Sequence, residues 1–200
     1  MRGRPIVAVH IRGERPGRTV LVVGCIHGNE TAGIAVARAL ERTRARRLDL
    51  WEVEDLNPDG VAAGTRQNAD QVDLNRNFPQ GWRPLGRPGD QQYSGPRALS
   101  EPEARIAYDL IRRIRPSVSI WFHQPVGVVD ESGGDLGVEQ RFAAVSGLPL
   151  RRLTRYPGSA VGWQDATMPG TTAFVVELPP GRPSGDAVRR YARAVLALSR

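Results

Sequence analysis

Apolar residues along this chain cluster in short β-branched runs separated by stretches with helical spacing. Runs at 6–11, 19–26, 50–56, 118–122, 150–156 and 173–178 are rich in Val, Ile, Leu and aromatic residues, and they read as strands. Segments 30–43, 100–114, 137–146 and 185–198 place apolar residues three and four apart, the signature of amphipathic helices. The helix over 100–114 carries a start signal in "SEPEA": Ser100 caps the amide of Glu103, Glu103 reaches back, and Pro102 occupies the first turn. It ends at Arg115, because Pro116 disfavours helical geometry in the residue before it. Strands alternating with helices predict one α/β domain over residues 1–200 with a mostly parallel sheet.

Two segments break this rhythm. Residues 57–98 are rich in Gly, Pro, Asn and Asp, and an irregular stretch that long inside a compact domain is usually functional or disordered. Its aromatic residues Phe78, Trp82 and Tyr93 favour an ordered, functional loop. The second, "YPGSAVGWQDATMPGTT" at 156–172, is Gly-rich and sits just before the last strand.

Composition narrows the chemistry. The chain has 200 residues, 40% of them hydrophobic, enough to bury a core. It contains no apolar run of transmembrane length, and the four residues Ile6 to Val9 are too short for a signal-peptide core, so a cytoplasmic location is expected. A strand starting so close to Met1 also fits a chain whose upstream segment was trimmed. Cys25 is the only cysteine, which excludes an intramolecular disulfide and a thiolate cluster, so any metal falls to His, Asp and Glu. The net charge is +7, but all 28 basic residues are Arg and are scattered over every segment, which reads as a solvated basic surface. No nucleic-acid-binding motif accompanies it, so neither nucleic acid nor a membrane is expected as a partner.

Four polar residues stand where an α/β fold does its chemistry, at the carboxyl ends of strands. His27 and Glu30 follow "TVLVVGCI", His123 ends "VSIWFH", and Glu177 lies near the end of "TAFVVELP". Two imidazoles and a carboxylate around an ion, with one position open, are the ligand set of a catalytic zinc. Here that set is His27, Glu30 and His123, with Glu177 left free to take a proton from water and pass it to a leaving amine. Singly, each residue has a plainer reading: His123 as a core histidine, Glu177 as a buried ion pair, and His10 as a strand-face residue, the reading adopted for it. The stretch "TRQNADQVDLNRNFP" strengthens the case, because Arg66, Asn75 and Arg76 lie close together. One guanidinium can grip a carboxylate bidentately while another stabilises an oxyanion.

These segments, with "NPDG", "YSGPRALSEPEA", "FHQP", "YPGS" and "VVELP", follow one another in an order that resembles the zinc carboxypeptidase family, and within it the bacterial murein tripeptide amidases. The resemblance implies a mixed, mainly parallel sheet sandwiched between helices, and one zinc per chain held by His27, Glu30 and His123. It implies Glu177 as general base, Arg66 as the carbonyl-polarising group, and Asn75 and Arg76 as the clamp on a substrate carboxylate. Tyr156 stands for the tyrosine that such enzymes fold over the substrate, with Tyr93 as the runner-up. The implied activity is hydrolysis of an amide next to a free carboxylate in a small peptide, in the murein case the γ-D-glutamyl–diaminopimelate bond. "HGNETAG" and "DLNRNFP" also resemble the succinylglutamate desuccinylase and aspartoacylase group, an N-acyl amino acid deacylase alternative. The third possibility is a non-catalytic, Arg-rich binder of anionic polymers.

Overall fold

The computed structural model describes residues 2–199. Seven strands form one mixed sheet: β1 (Ala8–Ile11), β2 (Arg18–Val23), β3 (Leu48–Val53), β4 (Val118–His123), β5 (Val128–Asp130), β6 (Leu150–Arg151) and β7 (Thr172–Glu177). Their order is β1-β3-β2-β4-β7-β5-β6. The central strands β3, β2, β4 and β7 run parallel, whereas β1 pairs antiparallel to β3 and β5 antiparallel to β7. Six helices accompany them: α1 (Ala32–Glu41), α2 (Pro58–Ala63), α3 (Pro102–Ile114), α4 (Leu136–Ser146), α5 (Ala160–Thr167) and α6 (Gly185–Leu196).

Alternate residues of the central strands enter two separate cores. Val20, Val22, Ile120, Phe122, Phe174 and Val176 pack under α1, α4 and α6, while Leu21, Val23, Trp121 and Ala173 pack under α3 and α5. A parallel strand covered on both faces has no polar side to show, so all six residues of β4 are buried. The parallel strands send their carboxyl ends to one edge of the sheet, and the candidate residues follow them there. Among the described residues, no helix is long and apolar enough to cross a membrane.

Several expected elements have different limits. The run at 150–156 is strand only at Leu150–Arg151 and then continues as irregular backbone, because Asp130 captures the amide of Leu153 at 2.9 Å. Helices α2 and α5 lie in segments read as loops, and β5 in a stretch given no element. Helix α3 does not use a Ser100–Glu103 capping box. Its N-cap is Glu101, whose amide donates to Asn77 Oδ1 at 3.1 Å, and Ser100 Oγ donates to Glu101 at 2.6 Å. The helix does end at Ile114, with Arg115 in left-handed geometry before Pro116. The long loop is ordered as its aromatics suggested, largely through Asn77, whose Nδ2 donates to Ser94 O, Arg97 O and Ser100 Oγ at 2.8–3.0 Å. His10 is a strand-face residue of β1, stacked on Trp51 at 4.2 Å and paired with Asp49.

Phe142 of α4 is fully buried, edge-on to Phe174 with ring centroids 5.4 Å apart. Truncation of a buried phenylalanine costs about 3–5 kcal/mol. Phe142→Ala is therefore expected to lower the unfolding free energy by that amount, which moves the urea midpoint down with an unchanged slope, and a midpoint within experimental error of wild type would contradict this packing.

Candidate metal centre and substrate cleft

Strand β2 stops at Val23, but the chain stays beside the segment that follows β3: Gly24 N donates to Val53 O at 2.9 Å and Leu56 N to Cys25 O at 2.8 Å. The turn carrying His27 then meets α2 almost backbone to backbone. A Cβ on Gly28 would lie 2.0 Å from the carbonyl carbon of Gly60, so only glycine permits the approach. Asn57, fully buried, ties the junction together. It caps α2 by accepting from Gly60 N at 3.0 Å and donates to Ile26 O and Arg66 O. This is the structural work of "NPDG".

Glu30, expected in the first turn of the helix, lies just before it, one residue ahead of the N-cap Thr31. The Thr31 side chain makes no capping bond; Gln124, next to His123, accepts from Ala32 N at 2.9 Å in its place. Gln124 N also donates to Glu30 Oε2 at 3.3 Å, which couples the end of β4 to the start of α1.

His27, Glu30 and His123 converge. His27 Nδ1 lies 3.0 Å from Glu30 Oε2, His123 Nδ1 lies 2.9 Å from the same oxygen, and the two nitrogens are 3.1 Å apart. Ligand atoms about 2.0–2.2 Å from a tetrahedral ion stand roughly 3.3 Å from one another, close to this spacing. Proton accounting agrees with a cation site. His27 Nε2 faces Asp73 Oδ1 at 3.0 Å, which fixes a proton on Nε2 and turns the Nδ1 lone pair toward Glu30 and His123. The His27 lone pair lies beside the Glu30 carboxylate and His123 Nδ1 in a buried, acceptor-rich space that suits a cation. The donor set thus fits a zinc ion, and these three residues are the group among the described residues that could hold a metal.

The charges around this triad are compensated. Burial opposes ionisation of Glu30, but the neighbouring His123 and His27 imidazoles outweigh it and hold the carboxyl well below the usual range. Asp73 is likewise held low against its burial by His27, Arg66 and Arg76. Burial disfavours charge on His27, and Asp73 and Glu30 reverse that effect and raise its pKa. Arg66 bridges both acids, with Nη1 2.9 Å from Glu30 Oε1 and Nε and Nη2 3.1 and 3.0 Å from Asp73 Oδ2. Asp73 was not singled out in the sequence, although a buried acid two residues before Asn75 in "VDLNRN" was the available signal. Cys25 is buried beside His27, and burial, Asp55 and Glu30 raise its pKa, which keeps the thiol protonated.

Asn75, Arg76, Tyr156 and Glu177 join the triad and Arg66 in the lining of one cavity of about 290 Å³. Asn75 Oδ1 accepts from Ala160 N at 3.0 Å, which leaves its NH₂ group without a hydrogen bond among the described residues. Arg76 is 4% exposed, donates from Nη1 to Asn75 O, and has a buried Nε without a partner. Its guanidinium lies 4.1 Å from the centroid of the Tyr156 ring. Gly158, at φ +70°, lets α5 approach this pair, since a Cβ there would meet Arg76 O at 2.2 Å. Tyr93 does not line the cavity; its carbonyl accepts from Asp73 N.

Sheet register sets Glu177 directly beside His123 on the neighbouring parallel strand. Glu177 is half-buried, and its Oε2 is enclosed without a partner. Burial raises its pKa above the ordinary value of 4.5; His123 pulls the other way, and Glu30 adds to the rise. The cleft thus combines a triad whose donor atoms could hold a cation, an adjacent carboxylate of raised basicity and a buried guanidinium. That is the equipment for activating water against an acyl group whose substrate carries a carboxylate.

Comparison with known proteins agrees with this geometry. The zinc carboxypeptidase family (Peptidase_M14) matches residues 1–129. A murein peptide amidase A from Vibrio campbellii is 33% identical over 194 residues, 89% of this chain and 76% of that protein. The crystal structure of a murein-tripeptide amidase from Escherichia coli O157 superposes with a TM-score of 0.75 at 27% identity, covering 98% of this chain and 93% of that one. A succinylglutamate desuccinylase from Silicibacter sp. TM1040 shares the fold, with a TM-score of 0.65 at 19% identity over 97% of this chain and 59% of that one. The chain belongs to the zinc carboxypeptidase family and is a hydrolase of peptide or amide bonds.

Proposed function

We propose that the protein is a zinc-dependent amidase that cleaves the amide next to a free carboxylate in a small peptide, specifically the γ-D-glutamyl–diaminopimelate bond of murein peptides. The observation that carries this reading is the convergence of His27 Nδ1, His123 Nδ1 and Glu30 Oε2 within 3.1 Å in the cavity that also holds Arg76 and Glu177. The murein substrate is favoured over an N-acyl amino acid because the relative that matches nine-tenths of this chain carries that name. The desuccinylase likeness, at 19% identity, speaks for the fold alone.

A zinc ion held by His27, Glu30 and His123 would supply a Lewis acid and bring the pKa of a water in the cavity toward neutrality. Glu177 then takes that water's proton on a carboxylate oxygen and returns it to the departing amine. Arg66 spends three of its five N–H groups on Glu30 and Asp73 and keeps two for the substrate carbonyl as it gains charge. Arg76 and the Asn75 amide receive the substrate carboxylate, the guanidinium being already dehydrated by burial. Tyr156, 42% exposed above Arg76, closes that end of the cavity.

Zinc-loaded protein given L-Ala-γ-D-Glu-meso-diaminopimelate beside succinylglutamate is expected to release diaminopimelate and leave the second compound intact by mass spectrometry. Preferential release of succinate would overturn the choice of substrate. Glu177→Gln is expected to lower kcat by about 10²–10⁴-fold with zinc binding retained. The base must be ionised to act, so wild-type kcat/KM falls as pH drops through its pKa. A kcat/KM that does not fall on the acid side would contradict the assignment.

Asp73 orients His27 from behind, so Asp73→Asn is expected to weaken zinc binding about 10–100-fold in competition with a chelator. Unchanged affinity would show that Asp73 does not support the ligand.

A further inference from the structure

A second, larger recess of about 770 Å³ adjoins the cavity just described. The two share Glu30, Gln124 and Pro125, but only the smaller one contains Asn75, Arg76 and Tyr156. A substrate with its carboxylate on Arg76 and its scissile amide at the triad therefore extends its acyl portion into the larger recess. Two arginines line that recess. Arg38 is already paired bidentately with Glu54 at 2.8 and 2.6 Å, whereas exposed Arg182 makes no hydrogen bond or ion pair among the described residues. The acid of the recess is Glu30, whose oxygens are engaged by His27, His123 and Arg66. Arg182 is thus its uncompensated charge.

Its backbone is also fixed in place. Gln124 Nε2 donates to both Pro179 O and Gly181 O at 2.9 Å, pinning the "PPGRP" segment to the residue after His123. Pro180 and Pro183 restrict φ on either side. The exposed Asn29 side chain, likewise without a hydrogen bond among the described residues, lines the same recess.

We propose that Arg182 binds a carboxylate on the acyl side of the scissile amide, and that the enzyme therefore selects γ-linked glutamyl peptides whose α-carboxylate is free over those in which it is amidated. This inference rests on the amidase reading above. A γ-linkage leaves the α-carboxylate separated from the scissile carbonyl by two methylenes and the α-carbon; an ordinary α-linkage has no free carboxylate there. The recess supplies a partner for that group, and a neutral carboxamide forfeits the charge-assisted bond.

The test compares L-Ala-γ-D-Glu-meso-diaminopimelate with the same tripeptide carrying an α-carboxamide on the glutamyl residue, using the zinc-loaded full chain as wild type, Arg182→Ala and Arg182→Glu. Wild type is expected to favour the acid about tenfold in kcat/KM, mainly through KM, as for an exposed charged hydrogen bond. Arg182→Ala should lose that factor on the acid alone, with the amide within about twofold, and Arg182→Glu should reverse the preference. The wild-type preference should also shrink as salt is raised. Equal rates on both peptides by wild type, or equal losses on both in Arg182→Ala, would overturn the inference and leave the amidase reading standing. Failure of wild type to cleave either peptide would remove both.

Discussion

The structure depends on the compensation of two buried carboxylates. Glu30 and Asp73 are 8% and 0% exposed, and an uncompensated acid at such positions would cost several kcal/mol. Two imidazoles and the Arg66 fork supply the balance, and the arrangement is mutual. Asp73 sets the tautomer of His27, His27 and His123 hold Glu30 ionised, and Arg66 spans both acids. At the centre of this arrangement His27 Nδ1, His123 Nδ1 and Glu30 Oε2 lie within 3.1 Å of one another in a buried space, the three residues that could hold a metal ion.

The ends of the central strands set out the positions of this cluster, and the turns and loops that follow them fill it in. Strands β2, β4 and β7 end at one edge, and their registers bring His123 beside Glu177 and place His27 one turn beyond Val23. Gln124 then does three things from one position: it caps α1, donates to Glu30 and anchors the segment of Arg182. The residues proposed to meet the substrate lie in the long segment after α2 and just before α5, held together where Asn75 accepts from Ala160 N and Gly158 allows close approach.

Much of this was legible in the sequence. A histidine or glutamate near the carboxyl end of an apolar run is a weak signal alone, but several together point to one site because each needs a partner, and His27, Glu30, His123 and Glu177 all meet in one cavity. Arg66, Asn75, Arg76 and Tyr156 line it too. Short elements escaped for physical reasons. Helix α2 begins in "NPDG" and depends on Asn57 for its cap, and α5 is embedded in Gly-rich sequence, so neither shows a helical apolar period. Strand β5 has three residues, too few for alternation to register. The "SEPEA" box failed because tertiary contacts from Asn77 and Asn68 claim Glu101 and Glu103 first. Asp73 and Gln124 were missed because their roles lie behind the reacting groups, where spacing along the chain gives no hint of direction.

The central claim is that the triad holds a zinc ion. Anomalous diffraction from crystals of zinc-loaded protein, collected on both sides of the zinc absorption edge, tests it most directly. The account predicts one strong peak about 2.0–2.2 Å from His27 Nδ1, His123 Nδ1 and a Glu30 oxygen. A peak elsewhere, or density showing these three side chains hydrogen-bonded to one another at full zinc saturation, would contradict it.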